Sequence, residues 1–300
     1  MIHPGAFDSI AVDASADDRA GGMDELPWPH EFDQSKARWR WLLDNHHPAR
    51  LVIVEHLGQA VAGALFERQG EAWFLWKGPS GAASAESLGA LLRSVGDMAE
   101  VTLVLQPGWV FAGPLGEAGF LRNGDFGTLL VSTGGGPDEI LRRMKDATRR
   151  RVQRAIGAGL RVAEGADWLP LFYPVYSAAM TAAGSPDFAT YAEHQSLLRI
   201  AGVHLFVALD GDAVAAGSLC YRNSDSLEAR YVATDAAYRH LGPLNLVHFE
   251  SIQWAAARGL GWFDLSGFAT GEVSEKLGGI NRFKAGFGGV EFDYPVFRRC

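Results

Sequence analysis

The stretch Val54-Glu55-His56-Leu57-Gly58-Gln59-Ala60-Val61-Ala62-Gly63-Ala64-Leu65-Phe66-Glu67-Arg68 returns, loosened, as Val207-Ala208-Leu209-Asp210-Gly211-Asp212-Ala213-Val214-Ala215-Ala216-Gly217-Ser218-Leu219-Cys220-Tyr221-Arg222. With one residue inserted, Gly58 matches Gly211, Val61 matches Val214, Gly63 matches Gly217, Leu65 matches Leu219 and Arg68 matches Arg222. Each copy is an apolar run, a glycine-containing turn and a second apolar run, which reads as a hairpin. The sequel repeats too. A helical pattern near Glu86 to Met98 leads into Val101-Thr102-Leu103-Val104-Leu105, and one near Leu244 to Arg258 leads into Trp262-Phe263-Asp264-Leu265. Two hairpins of common composition can coincide, but the helix and strand keep step behind them. The expectation is an α/β (α+β) chain of two tandem copies of one unit, each a mixed sheet flanked by helices.

Size and composition agree with this. At about 150 residues per domain, 300 residues suggest two domains. A chain that is 48% hydrophobic and 21% charged, with 36 Gly and 13 Pro, is ordinary globular material. No run approaches the roughly 18 apolar residues of a membrane span. The start, Met1-Ile2-His3-Pro4, has neither the basic nor the apolar region of a signal peptide, so a cytoplasmic protein is expected. Two cysteines, Cys220 and Cys300, exclude a disulfide framework and a four-cysteine zinc site. A net charge of −8 weighs against a protein that coats nucleic acid indiscriminately, unless the basic residues gather locally.

They do gather. After Gly134-Gly135-Gly136-Pro137 the pattern predicts one helix to about Ile156, with Ile140, Met144, Ala147, Val152, Ala155 and Ile156 as its apolar stripe and Gly157 and Gly159 ending it. Its other faces carry Arg142, Arg143, Lys145, Arg149, Arg150, Arg151 and Arg154. The patch is either a solvated, salt-bridged face or a surface for phosphates, whose oxygens match the guanidinium fork. The expected organisation is a first domain over 1–136 with a loose arm at 1–26, a basic connecting helix and strand over 137–162, and a second domain over 163–300. A helix is expected near Phe32 to Asn45.

Several chemistries find no motif. The nine histidines are scattered, without His-Glu-x-x-His or Cys-x-x-Cys, so no metal site is expected. There is no Gly-x-Ser-x-Gly elbow, and Cys220 reads as a buried small hydrophobe. Neither phosphate-loop pattern occurs, and Gly134 to Gly136 form either a linker turn or an anion site at a helix start. A duplicated hairpin–strand–helix–strand unit suggests the GNAT acyltransferase fold. Its coenzyme A enzymes carry Arg/Gln-x-x-Gly-x-Gly/Ala at a helix start. The matching stretch here is Arg239-His240-Leu241-Gly242-Pro243-Leu244. Arg239 and Gly242 fit; Leu244 replaces the small residue and Pro243 removes an N–H donor.

Three stretches resemble the FemABX family, which is built of two GNAT-like domains. They are Lys145 to Val162; Ile252-Gln253-Trp254-Ala255 to Gly259 followed by Phe263-Asp264-Leu265-Ser266-Gly267; and Gly279-Ile280-Asn281-Arg282-Phe283-Lys284-Ala285-Gly286-Phe287-Gly288-Gly289, which is similar to the family's Gly-Ile-x-x-Phe-Lys-x-x-Phe-Gly. The resemblance covers roughly residues 140 to 297; in the N-terminal half, Gln34 and Trp39 resemble the start of the family's first helix. It implies transfer of an amino acid from aminoacyl-tRNA, a co-substrate rather than a cofactor, to a free amine on a peptide-type acceptor. That acceptor would be a peptidoglycan precursor or a peptide antibiotic intermediate. The family's tRNA-associated coiled-coil arm is absent, and Leu42 or Leu43 and Ala182 to Gly184 stand where relatives place the Lys and Arg that clamp a nucleotide diphosphate.

On that resemblance Lys284 is the catalytic candidate, a cation for the tetrahedral oxyanion, against the alternative of a surface lysine on a short helix. Phe283 either flanks the ligand or packs beneath the pocket. Asp264 either orients substrate or caps a turn. Arg230 and Tyr231 fall where the cleft is expected, Tyr231 as an acceptor contact or an interior tyrosine. Lys145, Arg149, Arg150 and Arg154 are the candidates for tRNA phosphate contact. No general base is evident. The competing readings are an acyl-coenzyme A N-acyltransferase and a non-enzymatic binding relative.

Overall fold

A computed structural model describes residues 7–13, 36–185, 188–269 and 273–300. Most of the arm expected at 1–26, and Gln34, lie outside the described residues; within the arm a strand, β1, spans Phe7–Asp13. Then follow α1 (Lys36–Asp44), β2 (Ala49–His56), β3 (Gln59–Gln69), β4 (Ala72–Gly78), β5 (Ser80–Gly81), α2 (Ala85–Arg93), β6 (Glu100–Leu105), α3 (Ala112–Glu117) and β7 (Leu121–Ser132). After these come α4 (Pro137–Arg143), α5 (Asp146–Gly157), β8 (Arg161–Glu164), α6 (Leu169–Ala182) and α7 (Tyr191–Leu197). The chain ends with β9 (Val203–Asp210), β10 (Ala213–Arg222), β11 (Ser226–Thr234), α8 (Pro243–Ala256), β12 (Trp262–Asp264), α9 (Glu275–Ala285) and β13 (Val290–Arg299).

The chain forms two compact units, one of Met1–Phe126 with Asp293–Cys300, the other Gly127–Phe292. In the first, β2 and β3 are an antiparallel hairpin, β4 pairs β3, and β6 lies parallel to β4 with α2 between them. The second repeats this: β9 and β10 form the hairpin, β11 pairs β10, and β12 lies parallel to β11 after α8. Both quoted stretches are therefore the same hairpin, and each carries a bulge near the start of its second strand, where Val61 is the extra residue in one and Ala215 in the other.

The units do not divide at Gly136. The first unit's sheet takes in the chain's last strand, where Val296 to Arg299 pair β6 and Phe297 is buried with Leu103 and Phe120. The second unit's sheet takes in Leu130 to Ser132, which pair β12. Nor are 137–162 a connector. Met144, Val152 and Ala155 are buried in the second core beside Leu246 and Ile252 of α8. An apolar stripe needs a partner face, and α8 supplies one.

The single helix expected from Pro137 to Ile156 is two. Met144 and Lys145 are extended, with ψ of 144° and 147°. Met144 is buried, and the Lys145 N–H donates to the Gly286 carbonyl at 2.9 Å, a tertiary bond that replaces the helical one. Ile156, placed on the stripe by periodicity, is 51% exposed, and Ala147 is exposed as well.

Candidate active site

The second unit opens where β11 and β12 part. The two strands pair only over Ser226 to Glu228 and Trp262 to Asp264. On its other side β11 has a bulge: Tyr231 faces Leu219 and Ala229 faces Cys220, so Arg230 is an extra residue that bends the strand. Crevices at the carboxyl ends of parallel strands are where open α/β sheets bind ligands.

Asp264, the last residue of β12, is 3% exposed. Its Oδ1 accepts from the Thr128 hydroxyl and from the Ser266 N–H at 2.6 Å. The second bond spans two residues and shapes the turn Leu265-Ser266-Gly267, with Ser266 and Gly267 at φ 50° and 41°. Of the two readings of Asp264 the structure shows the cap, and the turn it caps presents the Ser266 and Gly267 carbonyls to Lys284. Lys284, near the end of α9, donates to the Ser266 carbonyl and to that of Gly267 at 2.8 Å. Partial burial pushes its pKa down to about 8, against the opposing pull of Asp264 and Glu228.

Glu228 was not singled out by sequence; it is 1% exposed, with its Oε1 3.4 Å from the Arg230 Nη1. The clue was present, since Glu228 and Arg230 stand two apart on one strand. Arg230 also lies over the Tyr221 ring at 5.8 Å. Phe283 packs on His248 and Phe287 at 5.7 and 5.5 Å between ring centroids, so it lies against the core. His248 is 2% exposed with neither ring nitrogen hydrogen-bonded, and burial and the nearby Lys284 push its pKa down to about 3. No sequence signal marked it. Tyr231 stands in ring contact with Tyr176, His194 and Tyr221.

The basic residues divide into two kinds. Arg149 is paired with Asp146 at 2.5 Å, Arg142 with Glu139, and Arg143 donates to the Ser132 carbonyl at 3.0 Å. Lys145, Arg150 and Arg151 are exposed. Arg154 donates to the His240 carbonyl at 3.0 Å. The turn that follows runs through Gly242, at φ 78°, into the start of α8 at Pro243. A Cβ on Gly242 would stand 2.9 Å from the Arg151 Cβ, so glycine is needed both for the backbone angle and for the close approach of α5. Arg151 and Arg154 thus approach the turn that leads into α8. Among the described residues no group of three His, Cys, Asp or Glu is placed to share a metal ion. Cys220 is buried and its thiol is pushed up to about 12. Among the described residues no helix is long and apolar enough to cross a membrane.

Comparison with known proteins agrees with this fold. Residues 141–285 match the family model for the acetyltransferase (GNAT) domain. No curated protein sequence matches the chain. Among solved structures, that of FemX superposes with a TM-score of 0.71 at 14% identity, covering 89% of this chain and 92% of that one. A tandem GNAT protein from the clavulanic acid biosynthesis pathway, solved without AcCoA, gives 0.57 at 12% identity over 98% of both chains. L-PGS from Bacillus licheniformis gives 0.59 at 12% identity over 80% of this chain and 81% of its own. Residues 141–285 are thus similar to an acyltransferase domain of the GNAT type. The chain as a whole has the FemABX-like tandem GNAT fold.

Proposed function

We propose that this chain moves an aminoacyl group from aminoacyl-tRNA to the free amine of a peptide-type acceptor, a peptidoglycan precursor or a peptide antibiotic intermediate. The observation that carries the reading is the setting of Lys284. An ammonium has three N–H donors; two hold the Ser266 and Gly267 carbonyls, and the third is left for a substrate oxygen. An aminoacyl ester is already activated. Amine attack then needs close approach and a cation for the oxyanion, and a partly buried one acts more strongly than one in water. The C–N bond forms as the carbonyl oxygen takes up charge beside Lys284. The C–O bond to the ribose then breaks, and the leaving oxygen takes the proton that the attacking amine nitrogen gives up as it becomes the amide.

Lys145, Arg150, Arg151 and Arg154 give the tRNA backbone a basic track that leads to the start of α8. Pro243 and Leu244 there weaken the coenzyme A alternative. Leu42 is buried and Ala182 ends α6, so neither position supplies a cation to a nucleotide diphosphate. An acceptor without that nucleotide fits better.

The test is transfer of label from bulk tRNA charged with mixed amino acids to a pool of small peptides. RNase-sensitive product is expected, and Lys284→Ala should lower kcat by roughly 10²–10³, as loss of an oxyanion donor does. Transfer that ignores RNase and requires acetyl-coenzyme A would replace this reading with the GNAT N-acyltransferase one.

A further inference from the structure

His194 is a titratable side chain that the chemistry above leaves unused. It follows a capping box at the start of α7, in which the Thr190 and Glu193 side chains each accept from the other's main-chain N–H. The His194 ring turns back so that Nδ1 lies 3.0 Å from the Thr190 carbonyl oxygen. A carbonyl oxygen only accepts, so Nδ1 carries the proton and Nε2 is a bare acceptor. The residue is 0% exposed, and Nε2 has no hydrogen-bond partner. Burial pushes the His194 pKa down, against the Thr190 carbonyl and Glu193, and keeps the ring neutral.

Three phenol rings enclose it: Tyr176 at 4.7 Å, Tyr231 at 4.8 Å and Tyr173 at 5.6 Å between centroids. With Glu193 these are the titratable groups that face it, from α6, α7 and β11. Tyr173 and Tyr176 belong to α6. Tyr231 stands directly after the bulge, on the stretch of β11 that runs beyond its pairing with β12. From it the Tyr221 ring, Arg230 and Glu228 lead on toward Lys284. A buried acceptor without a donor is rarely kept in a packed core unless a donor comes to it.

We infer that His194 is a positioning residue for acyl transfer: its bare Nε2 receives the Tyr231 hydroxyl when the acceptor is in place, which turns the phenolic lone pairs toward the incoming amine. Tyr231 keeps its proton; the bond orients, and the amine donates an N–H to the phenolic oxygen. The inference rests on the crevice of the second unit being the site of amide formation, whichever donor supplies the acyl group.

The test is a double-mutant cycle. His194→Phe keeps a ring and removes the acceptor; kcat is expected to fall about tenfold, the equivalent of one hydrogen bond, with KM for charged tRNA unchanged. Tyr231→Phe should match it, and the double variant should fall no further. His194→Gln, with an amide N–H for Thr190 and an oxygen for Tyr231, should recover to within about threefold of the wild type. Wild-type kcat in His194→Phe, or losses that multiply in the double variant, would overturn the inference.

Should His194→Phe not fold, imidazole ¹⁵N spectra of the unaltered chain decide. The Nε2 resonance should shift on adding short peptides with free amino termini, and not shift in Tyr231→Phe. An unmoved resonance in the wild type overturns the proposal. Absence of transfer from any charged tRNA refutes the donor reading instead, and the spectra still settle the Tyr231–His194 bond.

Discussion

Lys284 is a cation whose surroundings pull in opposite directions. Burial favours the neutral amine, while Asp264 and Glu228 favour the ammonium, and the balance leaves its pKa near 8. A lysine acting as oxyanion donor must be charged, so transfer should fall as pH rises through about 8. Asp264→Asn removes one of the two charges that hold the ammonium, so the alkaline limb should move to lower pH; a pH–kcat profile of the two proteins checks this. A limb that stays put would separate Asp264 from Lys284. The Thr128 hydroxyl, fully buried, is part of the same arrangement because it orients the carboxylate that shapes the carbonyl turn. His248 is a buried neutral ring among Phe263, Phe283 and Phe287, and such low-polarity surroundings strengthen the field of the nearby ammonium.

At the scale of elements, α5 and α8 do most to organise the second unit. Val152 and Ala155 join α8 residues in one core, which leaves the polar face of α5 outward with Lys145, Arg150 and Arg151 exposed. Replacing Lys145 and Arg150 by Ala should weaken binding of aminoacyl-tRNA and flatten the dependence of log K on log salt by roughly 0.7–0.9 for each phosphate no longer neutralised. Filter binding between low and moderate salt measures that slope, and an unchanged slope would remove these two side chains from the RNA surface. Arg149, engaged with Asp146, is expected to contribute less. The break between α4 and α5 belongs to this scale as well. Apolar spacing alone ran the two together, because the Lys145–Gly286 bond that divides them joins residues far apart in sequence.

At the scale of the molecule, each unit completes its sheet with a strand that sequence order would assign elsewhere. The last eight residues supply β6 with its partner, and Arg299 donates to the carbonyls of Val95 and Met98 at 2.6 and 2.8 Å. A chain ending at Phe292 should lose that pairing. Hydrogen exchange of Val101 to Leu105 is expected to speed up at least about tenfold, while β9 and β10 keep their protection. Equal loss in both would show that the two units unfold as one.

Much of this was legible in the residues alone. The repeat gave the tandem architecture because hairpin, helix and strand periodicities are local properties that a short window records. The Phe283-Lys284 stretch marked the candidate cation, and the clustering of arginines over 142–154 marked a basic face. Tertiary structure decided the rest. The unit boundaries depend on which strands pair across long stretches of sequence. The roles of Asp264, Glu228 and Thr128 depend on a turn and a strand pair that bring residues 128, 228, 264 and 284 together. The unpaired nitrogens of His194 and His248 arise only from what surrounds them. Backbone preference is written in neighbouring residues, whereas a site is made by side chains that the chain brings together only when it closes on itself.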